Sequence, residues 1–177
     1  MKKKTQVFIY AAIITLCIIA VIIWLIFRYI LPEHFKYSNI LGVHIPYSSE
    51  VVQAADTHGG FNGDSDYFAE FVINKEELND FANKLAKKWD RMPLPEDLNK
   101  FIFGYEINRD GRYEGHEGHS KNIPSNIKHG LYYFKDRYAE LYPEEAGKSM
   151  LDRRAYNFTF SILDLDSGKL YIVKSQL

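Results

Sequence analysis

Residues 156–173 read YNFTFSILDLDSGKLYIV, and this stretch decides the fold class. From Tyr156 to Leu163 aromatic and branched residues alternate with smaller or more polar ones. That period of two fits a strand. Asp164-Leu165-Asp166-Ser167-Gly168 interrupts it with turn-forming residues, and Leu170–Val173 resumes the apolar run. Two strands joined through such a turn make a β-hairpin, and hence an antiparallel sheet.

Working back from the hairpin, Gly130–Asp136 (GLYYFKD) reads as a further strand. Tyr138–Met150 between them suits either a helical excursion or a long loop. The polar, glycine-containing stretch from Asn108 to about His129 reads as loop. Phe101, Phe103, Tyr105 and Ile107 alternate as a strand would, although Pro95–Phe103 also fits a short helix. Asn74 is placed to N-cap a helix, with Glu77 as its capping-box partner. Leu78, Phe81, Ala82, Leu85, Ala86 and Trp89 share one face of that helix, and Pro93 and Pro95 end it. Glu50–Ala55 and Tyr67–Ile73 complete the set as short strands. The expected class is α+β, with a small antiparallel sheet packed against one main helix.

The run Val7–Phe27 (VFIYAAIITLCIIAVIIWLIF) contains no charged residue, glycine or proline. At 1.5 Å per residue it reaches about 30 Å, the thickness of a bilayer's hydrocarbon core, and it is expected to be a transmembrane helix. A cleaved signal peptide would have a shorter apolar region ending in a small-x-small site, which WLIFRYILPEHF does not offer. Lys2, Lys3 and Lys4 place the N-terminus in the cytoplasm by the positive-inside bias. The expected organisation is a cytoplasmic tail (1–6), the spanning helix (7–27), a juxtamembrane stalk (28–39) and an extracytoplasmic domain (40–177). The lipid bilayer is the expected partner of residues 7–27, and the localisation follows as the cell membrane.

Cys17 is the single cysteine, so the domain has no internal disulfide and no thiolate metal site. Without the three leading lysines the chain carries 19 basic and 23 acidic residues. That balance argues against a nucleic-acid partner.

The most suggestive cluster is Asp56-Thr57-His58-Gly59-Gly60-Phe61-Asn62-Gly63-Asp64-Ser65-Asp66. A strand running into Asp-x-His-Gly resembles the opening motif of calcineurin-like metallophosphoesterases, in which Asp and His bind one of two metals that activate water. Here Gly63-Asp64 follows too closely, the Gly-Asn-His motif is absent, and the closing Gly-His-x-His has one residue too many. Three readings stand: a structured hairpin loop, a loop that binds a cation or partner through Asp56, His58, Asp64 and Asp66 beside Phe61, and a metal-dependent hydrolase centred on Asp56, His58 and Asp64. In the second reading Gly59, Gly60, Phe61 and Gly63 are the possible binding loop. His116-Glu117-Gly118-His119 is one residue short of the zincin His-Glu-x-x-His, and Asp164-x-Asp166-x-Gly168 lacks the later ligands of a calcium loop.

The segments DTHGGFNGD, GLYYFKDRY and YNFTFSILDLDSGKLYIV together resemble an uncharacterised family of small single-pass membrane proteins of low-GC Gram-positive bacteria. The resemblance covers most of residues 50–175 and departs from the family pattern at Ser65 and His129. It implies the same topology and hairpin, and no activity. The expected function is a membrane-anchored extracytoplasmic interaction or ligand-binding domain, with an unknown protein or small ligand as partner and no cofactor. The alternatives are the metal-dependent hydrolase and an accessory or immunity subunit of a membrane complex.

Overall fold

The alternating hairpin of the sequence becomes the middle of a six-stranded sheet. The computed structural model describes residues 2–26, 32–57, 65–109, 112–117, 120, 122–153 and 155–176, and the chain divides into two compact units, 1–47 and 48–177. In the second unit the strands are β1 (Glu50–Asp56), β2 (Ser65–Val72), β3 (Asp90–Arg91), β4 (Gly104–Arg109), β5 (Arg112–Glu117), β6 (Gly130–Asp136), β7 (Asn157–Asp164) and β8 (Lys169–Gln176). The main sheet runs β1-β2-β8-β7-β6-β3, and every pair in it is antiparallel. The α+β class is thus present, with β4 and β5 pairing apart from the main sheet.

Register explains how both faces of the central strands are buried. Phe160 lies between Phe134 of β6 and Val173 of β8, and Ile162 between Tyr132 and Tyr171. Neighbours across an antiparallel ladder share a face, so these rings and branched chains form one apolar layer. Leu98, Phe101 and Ile102 pack against that layer. They come from one side of helix α4 (Glu96–Phe103). The T-shaped pair Phe101–Phe158, with centroids 5.1 Å apart, sits at its centre. The opposite face carries Ala69, Ile172, Ser161 and Tyr133 in one row. Trp89 stacks on Tyr133 there, at 5.8 Å. Trp89 follows helix α3 (Lys75–Leu85), whose Phe81 and Leu85 are buried. Two helices rather than one main helix therefore flank the sheet.

The turns are held as the sequence anticipates. Asp164 accepts from the Asp166 N–H at 3.0 Å and from the Ser167 hydroxyl at 2.5 Å. Gly168 takes φ +73°, a region only glycine enters without strain. Asn74 occupies the N-cap of α3 through its backbone carbonyl alone, which accepts the Leu78 N–H at 2.9 Å. Glu77 does not close a capping box; it accepts the Ser48 hydroxyl. α3 ends at Leu85, well before the prolines, because Asp90 and Arg91 are drawn into the sheet edge as β3 against Tyr132 and Leu131. The segment 108–129, expected to be loop, contains most of the β4–β5 hairpin instead. After β6 comes α5 (Arg137–Leu141), capped by the Asp136 carboxylate. Arg153 donates to that same carboxylate and to the Lys148 carbonyl.

In the first unit α1 spans Lys2–Leu25 and α2 spans Pro32–Leu41. Pro32 sits at a first-turn position that needs no N–H partner. Gly42, at φ +64°, terminates α2, and the Val43 N–H reaches back to the Ser38 carbonyl at 3.2 Å. The spanning helix expected over 7–27 is corrected: among the described residues no helix is long and apolar enough to cross a membrane. α1 ends at Leu25, short of the expected end at 27, and residue 27 lies outside the described residues.

Candidate functional site

Sequence places its candidate site on residues 56–66, of which the structure describes the neck. β1 delivers Asp56 opposite Tyr67. The Thr57 N–H donates to the Asp66 carbonyl at 3.0 Å, and the Asp66 N–H donates to Thr57 Oγ1 at 3.1 Å. Together they clamp the loop base. His58, Gly59, Gly60, Phe61, Gly63 and Asp64 lie outside the described residues. Among the described residues no group of three or more His, Cys, Asp or Glu side chains could hold a metal ion. Of the second cluster, His116 lies in β5 opposite Tyr105, and His119 lies outside the described residues.

A different site emerges where α3, the start of β6 and the β7–β8 turn converge. Gly130 opens β6 beneath the turn, and a Cβ there would stand 2.5 Å from the Leu163 carbonyl oxygen. The flanking backbone is pinned on both sides. The Met92 N–H donates to the Gly130 carbonyl at 3.1 Å, and the Leu165 N–H donates to the His129 carbonyl at 3.0 Å. His129 Nδ1 also stands 3.2 Å from Asp166 Oδ2, an exposed pair that ties the turn to the β6 approach.

Between this corner and α3 runs a groove of about 400 Å³. α3 contributes Leu78 and Ala82, and its C-cap residue Ala86 continues them, spaced i, i+4, i+8 along one stripe. The opposite wall is apolar at Met92, Leu131 and Leu165. The polar residues of the groove are Asn79 and Asn83 on α3, with Arg91, Lys128 and His129 from outside that helix. Among the described residues that line it there is no carboxylate. Its described lining thus carries the cationic side chains of Arg91 and Lys128 without an acidic residue among them.

A second groove of about 410 Å³ shares Lys128 and His129 and continues past the turn to Lys169 and Tyr171. Glu70 Oε1 stands 2.8 Å from the Lys169 ammonium in an ion pair and holds it protonated to higher pH than usual. Burial raises the Tyr171 phenol above its ordinary range. Asp164 and Asp166 line this second groove as well, so its charge is mixed, unlike that of the first.

Sequence reasoning misses the first groove because its walls come from residues 78–86, 91–92, 128–131 and 165, which meet only through the fold. One local signal was present: Asn79 and Asn83 stand one turn apart beside the Leu78–Ala82–Ala86 stripe, a polar ladder at the edge of an apolar face. Comparison with protein-family models gives no match, and no curated protein or solved structure matches the chain. The site is therefore read from its own chemistry.

Proposed function

We propose that residues 48–177 are an interaction domain that holds a ligand in the groove between α3 and the Lys128–Leu131 segment. The observation that carries this reading is the composition of the groove: an apolar floor with a few convergent polar groups, in a volume within the usual range for ligand sites. The polar groups sit on a helix and on backbone held by hydrogen bonds, so the site is formed before a ligand arrives and little ordering entropy opposes binding.

An NMR-detected fragment screen on the full chain tests it. Amide shifts should cluster at Leu78, Ala82, Arg91 and Leu131, and the groove-filling variant Ala82→Trp should abolish them. A screen in which no fragment perturbs these amides, or in which Ala82→Trp leaves the shifts intact, overturns the reading.

A further inference from the structure

Resting on that reading, we propose that the groove binds an extended acidic peptide segment of a partner protein, with apolar side chains alternating with carboxylates. The first argument is spacing. Asn79 and Asn83 lie i, i+4 on α3 and both line the groove. Four helical residues rise about 6 Å, and two residues of an extended strand advance about 6.6 Å. Two asparagine amides at that separation meet successive same-facing peptide units of a strand laid along the helix. Each amide carries both a donor and an acceptor, which is what a peptide backbone presents.

The second argument is what lies on either side of the ladder. Leu78, Ala82 and Ala86 offer shallow apolar contact, and the small alanines leave room for a branched side chain. In a strand the side chains alternate between faces, so alternate residues face this stripe. The others face outward, within reach of the rim cations Arg91 and Lys128. The third argument is charge complementarity. Among the described residues the lining holds two cations and no carboxylate, and His129 is already engaged by Asp166. An acidic strand brings opposite charge to Arg91 and Lys128, whereas a basic one would place like charges together.

The test uses fluorescence anisotropy on the full chain with a labelled octapeptide of alternating glutamate and leucine. The control is the corresponding lysine–leucine octapeptide. The acidic peptide should bind saturably, and its affinity should fall as salt is raised. The basic peptide should bind at least about tenfold more weakly. R91E/K128E should weaken the acidic peptide at least about tenfold and reverse the preference. N79A/N83A should weaken both peptides alike. All four side chains are exposed, and K128E alone repeats the charge test without touching β3. Equal binding of the two peptides, or binding indifferent to both variant pairs, overturns the proposal. If neither peptide binds while the fragment screen still marks the groove, this occupant is wrong and the groove reading stands. If vesicles of anionic lipid bind and the acidic peptide does not, the occupant is a membrane surface and the proposal fails.

Discussion

The two hairpins β7–β8 and β4–β5 are both formed from neighbouring strands, yet only the first lies within the six-stranded sheet. β7 is buried from Phe158 to Leu163, and β8 from Leu170 to Val173. Among the described residues β4 and β5 pair only with each other. Strand pairing is equally available to both, so it does not explain the difference. What separates them is the residue between the large ones: Thr159 and Ser161 in β7 are small enough to be covered, whereas β5 interleaves arginine, glutamate and histidine. Burying a charge without a partner is costly, which disfavours a sequence like that of β5 at the centre of a sheet.

The largest test of this contrast is Phe160→Ala. The side chain is 0% exposed between two strands, and its loss should cost about 3–5 kcal/mol in chemical unfolding. Tyr105→Ala in β4 should cost under about 1 kcal/mol. Comparable losses at the two sites would erase the distinction. Next comes Gly130→Ala, where the new Cβ meets the Leu163 carbonyl at 2.5 Å. Overpacking here should cost about 1–3 kcal/mol, readable as a lowered Tm.

A pH series sharpens the comparison further. Burial raises the phenols of Tyr132 and Tyr171, which flank Ile162 in the covered layer. In the unfolded chain they ionise first, so their contribution is intact below pH 10 and is lost as pH rises beyond it. Tyr132→Phe/Tyr171→Phe should flatten that alkaline loss of stability; an unchanged slope would assign it to other groups. The smallest effect is a gain. Thr159 Oγ1 is buried with no hydrogen-bond partner among the described residues, so Thr159→Val should stabilise by about 1 kcal/mol. A loss instead would mean that the hydroxyl has an acceptor.

Local pattern made the C-terminal hairpin, β6 and the start of α3 legible, because each is specified by neighbours within a few residues. Competing periods blurred the next stretch. Phe101, Phe103, Tyr105 and Ile107 satisfy a period of two, while Leu98, Phe101 and Ile102 satisfy a helix. The chain uses both, switching at Gly104, whose φ of +82° marks the break. β5 was hidden because nothing apolar recurs along Arg112–Glu117; only its pairing with β4 makes it a strand. At the opposite extreme, the apolar run of 7–27 invited a reading of span from its hydropathy and its length together. The groove was illegible for a third reason: it exists only once α3 lies beside residues 128–131.

The pairing of β2 with β8 also sets a timetable for biosynthesis. Phe71 faces Leu170, a residue that emerges 99 positions later. At bacterial-like elongation speeds that interval is about 5–20 s. Throughout it the nascent β1–β2 ribbon offers an unsatisfied flank to any other growing chain. Slower translation through the intervening segment should therefore increase dependence on chaperones.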